Sequence, residues 1–229
     1  MPAESYRIFA LGDGALTVEF GQEISLALNE LALSVAAHFN NNPFPGFIEA
    51  VPAYASASVF YDPVVVRKRL SISTNVFDTV RQMVEEALEC LDNRAPITAR
   101  LIEIPVNFGG DNGPDLTYIS QKCGLAEFEI IRLFISKTYR VYMLGFLPGF
   151  AYLGEVDERI SVPRKTTPRL AVPRGSVGIA GRQTGIYPLE SPGGWQLIGR
   201  TDLQMFTPDS SDPCILRPGD SVKFVDTTE

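Results

Sequence analysis

The sequence is poor in the residues that most often carry out catalysis. Its 229 residues include one histidine, one tryptophan and three cysteines. His38 lies on a predicted amphipathic helix and is interpreted as structural, so no internal Ser-His-Asp triad is expected. Cys90, Cys123 and Cys214 are far apart and form no CxxC pair. This spacing argues against a disulfide framework and against a metal site, and it is typical of reduced thiols in a cytoplasm.

Several sequence motifs are also absent. There is no GxxxxGK[ST] P-loop, no GxGxxG fingerprint and no GxSxG nucleophile elbow. No apolar run approaches the roughly 18–20 residues that a membrane helix needs. The N-terminal residues lack the basic and apolar regions of a signal peptide. We therefore expect a cytoplasmic protein that does not bind membranes.

Basic residues are scarce overall but concentrated in one stretch. The chain has 20 Lys and Arg against 27 Asp and Glu, a formal net charge of −7, which argues against nucleic-acid binding. Residues 159–200 nevertheless hold seven basic residues and a single acid, Glu190. Arginine presents a planar fork that binds carboxylate or phosphate, so Arg164, Arg169 and Arg200 are candidate anion ligands. A solvated surface, or salt bridges to the more acidic first domain, is the alternative interpretation.

Apolar periodicity predicts two domains. Residues 1–95 show strand and helix patterns in the order ββαββα, with helices at 24–39 and 76–91, which indicates a small α/β domain. A linker is predicted at 93–96. Residues 96–229 begin with a strand and two short helices. They continue as glycine- and proline-rich sequence with short strands, typical of a β-barrel or sandwich. The predicted fold class is α+β.

A glycine-rich segment at 176–196 holds several neutral hydrogen-bonding side chains. Glycine allows close approach of backbone N–H groups to a ligand. Trp195 is a candidate wall of a pocket, and the polar candidates are Gln183, Tyr187, Ser191 and Gln196. Tight barrel corners around a core tryptophan explain the same pattern equally well.

An aromatic loop at 146–152 is centred on a Pro-Gly pair. Its members Phe146, Pro148 and Tyr152 suit the edge of a pocket or a subunit interface, since interfaces favour aromatic residues. Packing at one end of a barrel is the third possibility.

Four long motifs make a family resemblance visible. They are Tyr139-Arg-Val-Tyr-Met-Leu-Gly-Phe-Leu-Pro-Gly-Phe-Ala-Tyr-Leu-Gly154, Pro163-Arg-Lys-Thr-Thr-Pro-Arg169, Val172-Pro-Arg-Gly-Ser-Val-Gly-Ile-Ala-Gly181 and the run from Gln183 to Arg200. The chain resembles the family of the 5-oxoprolinase B component, also named allophanate hydrolase subunit 1, which includes the sporulation kinase A inhibitor. The first domain resembles the family more weakly, through residues 12–13, 46–52 and 61–63.

The resemblance implies a fold and an activity. The expected fold is a small ferredoxin-like α/β domain followed by a cyclophilin-like β-barrel. The expected activity is the ATP-dependent cleavage of 5-oxo-L-proline to L-glutamate by a complex of three components. In that complex the chain is expected to be the non-autonomous B component, which contacts the C component directly and acts with the A component. The expected cofactor is ATP with Mg²⁺.

The same resemblance suggests roles for the candidate residues. Within the complex, the three candidate arginines would bind anionic groups. The polar side chains of the glycine-rich segment would orient substrate or nucleotide by hydrogen bonds.

One position departs from the family pattern. Family members usually carry a histidine before the aromatic motif, where this chain has Phe134. An altered activity would favour the alternative function, a regulatory protein that inhibits a sensor histidine kinase. Allophanate hydrolysis is a further alternative, although the sequence offers no nucleophile with a base beside it.

Overall fold

The structure is a computed structural model that describes residues 6–71, 73, 75–91 and 99–228. The chain divides into two compact units, Met1–Thr98 and Ala99–Glu229. Each unit has its own hydrophobic core. The predicted linker at 93–96 lies outside the described residues.

The first unit is an antiparallel four-stranded sheet with helices. The strands are β1 (Arg7–Ala10), β2 (Ala15–Glu19), β3 (Phe47–Pro52) and β4 (Ser56–Tyr61), and the helices are α1 (Leu26–Asn41), α2 (Pro63–Arg69) and α3 (Val76–Leu91). The strands are ordered β1-β2-β4-β3 in the sheet.

Apolar side chains explain why these elements pack together. Alternate residues of β4, namely Ala57, Val59 and Tyr61, are buried, as expected for a strand with one face on a core. The α1 helix is tied to the sheet because the Asn40 side chain bonds both the N–H and the carbonyl of Ala50, at 3.1 and 2.9 Å. The order of elements is therefore the predicted one, with α2 added.

The short helix α2 is the element that periodicity missed. Asp62 caps it, since its Oδ1 accepts hydrogen bonds from the N–H groups of Val64 and Val65 at 2.8 and 3.1 Å. Pro63 occupies the first helical position, where its missing N–H has no consequence. The cap was visible in the sequence, but seven residues are too few to show a helical period.

The second unit contains a closed seven-stranded barrel and a separate two-stranded sheet. Its strands are β5 (Leu101–Phe108), β6 (Thr138–Leu144), β7 (Ala151–Gly154), β8 (Arg169–Val172), β9 (Ser176–Ala180), β10 (Gln183–Ile186), β11 (Ser191–Gly193), β12 (Gln196–Arg200) and β13 (Ser221–Asp226). The order in the barrel is β10-β7-β6-β13-β5-β12-β9, and the small sheet pairs β8 with β11. The helices are α4 (Leu116–Cys123) and α5 (Glu127–Ser136). The α+β fold class is confirmed, and the second domain is a barrel.

Phe134 belongs to the core of this second unit. It is fully buried, and its ring centroid lies 5.1 Å from that of Tyr139 and 4.8 Å from that of Phe224. Its carbonyl accepts a hydrogen bond of 2.8 Å from the Tyr139 hydroxyl. Phe134, at the position where the resemblance leads us to expect a histidine, therefore packs as a core side chain.

Candidate functional site

An aromatic cluster lies on the outer face of the barrel. On β7, Ala151 and Leu153 belong to the barrel core, so Tyr152 between them points to the opposite face. There it packs with Phe150 and Trp195, at centroid distances of 4.9 and 5.9 Å. Phe150 contacts Trp195 edge to face at 5.5 Å. These rings form one wall of the candidate site.

Two glycines make room for this cluster. A Cβ at Gly185 would lie 2.8 Å from the carbonyl oxygen of Ala151 on the paired strand, 3.0 Å from the Phe150 ring and 3.1 Å from the Trp195 ring. A Cβ at Gly178, the β9 partner of Gly185, would lie 3.0 Å from the Cβ of Trp195. Glycine is required at these positions because the aromatic rings lie directly against the strands.

A basic loop, residues 163–169, lies beside the tryptophan. The guanidinium carbon of Arg164 is 5.7 Å from the centre of the Trp195 ring, a cation–π contact. Two hydrogen bonds hold the loop in place. Lys165 N–H donates to the carbonyl of Gly194 at 2.7 Å, and Gln196 Nε2 donates to the carbonyl of Pro163 at 3.1 Å. The loop is thus attached to the residues on both sides of Trp195.

A buried carboxylate neutralises part of this loop. Asp115 Oδ1 accepts hydrogen bonds from Arg169 Nη2 at 2.7 Å and from Lys165 Nζ at 3.2 Å. Asp115 Oδ2 accepts from the N–H of Leu197 at 2.7 Å. Burial acts to raise the pKa of Asp115, but the hydrogen bonds from Arg169 and Leu197 outweigh it and hold the pKa below its usual value. Asp115 is therefore ionised at neutral pH.

Arg164 differs from its two basic neighbours. Among the residues that the structure describes, no carboxylate lies within ion-pair distance of its guanidinium, whereas Lys165 and Arg169 share Asp115. Arg164 is also exposed. It is the cation of the loop that is available to a ligand.

Two tyrosine hydroxyls border the basic loop. Burial raises the pKa of Tyr187, while the backbone N–H of Trp195 and the charge of Arg164 act in the opposite direction and do not cancel it. Burial likewise raises the pKa of Tyr152 against the charge of Arg164. Both hydroxyls stay protonated at neutral pH and can donate hydrogen bonds.

Two buried polar atoms near Asp115 lack a hydrogen-bond partner among the described residues. One is Nη1 of Arg169, and the other is Oε1 of Gln196, a residue only 3% exposed. Buried polar atoms are nearly always satisfied by protein, water or ligand. Both atoms are enclosed by protein, so the polar interior beside the basic loop is not fully paired by the described residues.

The aromatic loop places Phe146 at the rim. Phe146 is 62% exposed and contacts Phe150 edge to face at 5.5 Å. Its φ of 70° lies in the left-handed region, which is strained for a residue other than glycine and is found most often at functional sites. Pro148 is exposed as well. This arrangement fits the predicted pocket edge or interface.

The structure brings only some of the predicted site residues together. The basic loop itself contains Arg164 and Arg169. Beside it lie the side chains of Tyr187, Gln196, Tyr152 and Trp195, and Phe146 lies at the rim. Arg200 lies at the opposite end of β12 from Gln196, where its Nε donates to the carbonyl of Arg174 at 2.9 Å. Gln183 begins β10 and pairs with Gly154 and Ala180, two residues along the strand from Gly185. Ser191 is buried on β11, and its hydroxyl donates to the carbonyl of Pro192 at 3.3 Å.

Sequence reasoning missed Asp115, Lys165 and Phe150 as members of the site. Asp115 is the first residue of a predicted helix, so it had the pattern of an ordinary helix start. Its partners lie 50 and 54 residues further along the chain. Phe150 lies within the aromatic motif, and strand alternation with Tyr152 was the signal that could have identified it.

Two other kinds of site have no candidate among the described residues. Within the described part of the chain, no three His, Cys, Asp or Glu side chains converge as metal ligands would. No helix in that part has the length and apolar character to cross a membrane.

Comparisons with known proteins agree with the motifs. Residues 6–216 match the model of the family described as carboxyltransferase domain, subdomain C and D. The chain is 46% identical to the 5-oxoprolinase B component of Bacillus subtilis (strain 168), over 98% of this chain and 94% of that protein. It is 40% identical to the 5-oxoprolinase B component of Escherichia coli O157:H7, over 97% of each.

A solved structure supports the fold. The crystal structure of TTHA0988 superimposes with a TM-score of 0.78 at 36% identity, and the match covers 94% of this chain and 40% of that one. The resemblance carried by the motifs is confirmed: the chain belongs to the carboxyltransferase domain, subdomain C and D family, and within it to the group of 5-oxoprolinase B components.

Proposed function

We propose that this chain is the B component of an ATP-dependent 5-oxoprolinase that cleaves 5-oxo-L-proline to L-glutamate. The relatives with this name match the chain over nearly its whole length. The structural observation that carries the proposal is Arg164, a cation stacked on Trp195 without an acidic partner among the described residues. A substrate with one carboxylate fits a single available guanidinium.

The residues around Arg164 suit the rest of such a substrate. A five-membered lactam offers a carbonyl acceptor and an N–H donor beside its carboxylate. The protonated hydroxyl of Tyr152, which is only half-buried, can donate to the carbonyl. Tyr187 and Gln196 are 1% and 3% exposed, so they act through the residues that they hold, as Gln196 Nε2 does through the Pro163 carbonyl. Trp195 and Phe146 supply apolar surface for the ring.

ATP is the cofactor in this proposal. Because Lys165 and Arg169 are bound to Asp115, the single available guanidinium of the basic loop is assigned to the substrate carboxylate and not to the nucleotide. ATP, when bound, supplies a phosphoryl group that makes the resonance-stabilised lactam carbonyl a better electrophile for water. In this proposal Mg²⁺ enters with the nucleotide inside the complex.

The partners follow from the same proposal. The B component of such an enzyme acts with a C component, in direct contact, and with an A component. The strained and exposed Phe146 offers the aromatic surface that such contacts favour. The basic loop and the aromatic cluster then act as this chain's contribution to a shared site.

Reconstitution of the three-component complex tests this function. Glutamate release and ATP hydrolysis are measured with 5-oxo-L-proline, with and without this chain, and with Arg164→Gln in its place. We expect no turnover without the chain and at least a tenfold loss of kcat/KM for Arg164→Gln, because a charged hydrogen bond contributes about 1.5–3 kcal/mol.

The matched control is Arg217→Gln. This arginine is also exposed, but it is paired with Asp212 at 2.5 Å. Turnover with Arg217→Gln should stay within about twofold of the unsubstituted protein, as is usual for surface changes. Full turnover in the absence of the chain would overturn the proposal.

A further inference from the structure

Asp115 occupies a position where aspartate ordinarily caps a helix. It directly precedes α4, and an aspartate there usually accepts hydrogen bonds from the first free N–H groups of the helix. In this structure its side chain makes no capping hydrogen bond. The helix therefore lacks this stabilising cap, because the carboxylate binds groups outside the helix.

The Asp115 carboxylate joins three separate segments of the chain. The Asp115 carboxylate is 6% exposed and accepts from Arg169, Lys165 and the Leu197 N–H. The backbone N–H of Asp115 also donates to the carbonyl of Leu197 at 3.0 Å. The start of α4, the basic loop and β12 therefore meet at one buried carboxylate.

These contacts, which we call the Asp115 clamp, fix the part of the basic loop that follows Arg164. Lys165 follows Arg164 directly in the chain, and its backbone N–H is bonded to the carbonyl of Gly194, next to Trp195. Arg169 lies at the other end of the same loop, where β8 pairs with β11. Pro163, the residue before Arg164, is held by the Gln196 side chain at 3.1 Å, so the backbone on both sides of Arg164 is fixed beside Trp195.

We propose that Asp115 is a positioning residue, which holds the basic loop so that Arg164 stays on Trp195 as the one cation of that loop available to a monoanionic ligand. It also neutralises part of the charge of Lys165 and Arg169, which limits the site to a small anion. The identity of that anion as 5-oxo-L-proline rests on the proposed function, but the positioning of Arg164 does not.

Trp195 is the only tryptophan of the chain, so its fluorescence reports on this site alone. The variant Asp115→Asn keeps the shape of the side chain and an acceptor for Leu197, and it removes the charge. Trp195 emission is quenched with iodide, an anion, and with neutral acrylamide. We expect the ratio of the iodide to the acrylamide quenching constant to rise at least twofold in Asp115→Asn, because the released cations attract iodide to a less shielded ring.

Asp111→Asn is the matched control. Asp111 is an exposed aspartate four residues earlier on the same segment, and its variant should leave the quenching ratio unchanged. Circular dichroism verifies that each variant is folded. If Asp115→Asn fails to fold, Lys165→Gln removes one arm of the clamp. Because this variant also removes a cation, its readout is the quenching constant of neutral acrylamide, which should rise as the Trp195 ring becomes less shielded. An unchanged ratio in a folded Asp115→Asn, or an unchanged acrylamide constant in Lys165→Gln, overturns the proposal.

Kinetics in the three-component complex separate positioning from a purely structural role. Asp115→Asn should raise KM for 5-oxo-L-proline about tenfold with kcat within about twofold, since a displaced Arg164 weakens binding of the carboxylate in substrate and transition state alike. Asp115→Glu, which restores the charge, should recover part of the KM. An active complex with an unchanged KM in Asp115→Asn rejects the positioning role. An inactive complex of unsubstituted components, with the quenching change still present, rejects only the proposed function.

Discussion

The basic loop 163–169 uses similar cations in two different ways. On one side, Lys165 and Arg169 are part-buried and bound to Asp115. On the other, Arg164 is exposed and rests on Trp195 with no acidic partner among the described residues. A concentration of positive charge therefore does not reveal which cation meets a ligand. Burial and the location of the nearest carboxylate separate the residues that build the site from the residue that is free to bind.

The largest expected effect comes from removing the carboxylate that binds Lys165 and Arg169. Asp115→Ala leaves Arg169, Lys165 and the Leu197 N–H without their acceptor. We expect the free energy of unfolding to fall by about 3 kcal/mol, as for other buried ion pairs that lose one partner. Urea denaturation followed by circular dichroism measures it. Asp111→Ala should change the same quantity by less than about 0.5 kcal/mol, and equal losses in the two variants would contradict the assignment.

The next effect concerns the aromatic wall behind Arg164. Gly185→Ala places a methyl group 2.8 Å from the carbonyl oxygen of Ala151, 3.0 Å from Phe150 and 3.1 Å from Trp195. Overpacking of this kind lowers the free energy of unfolding by about 1–3 kcal/mol, and the emission maximum of Trp195 should shift as its ring moves. Gly145→Ala is the control, since a Cβ there meets its nearest atom, of Met143, at 3.4 Å. An unshifted emission maximum in Gly185→Ala would show that the rings do not pack against this strand.

A direct contrast between two arginines of the loop gives the third prediction. Arg169→Gln should lower the free energy of unfolding by about 1–2 kcal/mol, because Asp115 loses its closest charged donor, at 2.7 Å. Arg164→Gln should change it by less than about 0.5 kcal/mol, since no hydrogen bond or ion pair depends on its guanidinium among the described residues. Thermal and urea unfolding of the two variants measure the difference. A larger loss of unfolding free energy for Arg164→Gln than for Arg169→Gln would mean that Arg164, and not Arg169, stabilises the fold.

Much of the fold followed from periodicity in the sequence. The helix predicted at 76–91 agrees with α3 residue by residue, and the helix predicted at 24–39 lies two residues before α1 at each end. Both segments have the apolar period of 3.6 residues that marks an amphipathic helix. Helix α2 is too short to show a period, and its cap at Asp62 was the available signal.

The site was predictable only in part, for a geometric reason. Residue type and the family motifs identified Arg164, Tyr187 and Trp195, which the fold does bring together. Asp115 was not predictable, because its role depends on a carboxylate reaching a loop 50 residues away. Arg200 was grouped with the other arginines by sequence distance, but the length of strand β12 separates it from Gln196.

The smallest effect tests the charge of Asp115 itself. Hydrogen bonds hold the pKa of Asp115 below its usual value in spite of burial. A carboxyl group with a lowered pKa in the folded state adds stability above its unfolded pKa of about 3.9 and loses it as the pH falls through the folded value. The difference in free energy of unfolding between the unsubstituted protein and Asp115→Asn should thus be constant between about pH 5 and pH 8. It should shrink below about pH 4, toward the folded pKa.

Taking that difference cancels the contribution of other carboxyl groups, such as Asp157, whose pKa is also lowered, chiefly by a hydrogen bond from Arg159. Urea denaturation at about pH 7, 5 and 3.5 supplies the three points. A difference that grew as the pH fell would mean that the neutral form of Asp115 is the stabilising one. The clamp would then be a hydrogen bond of a protonated acid, and Lys165 and Arg169 would be as free to bind an anion as Arg164.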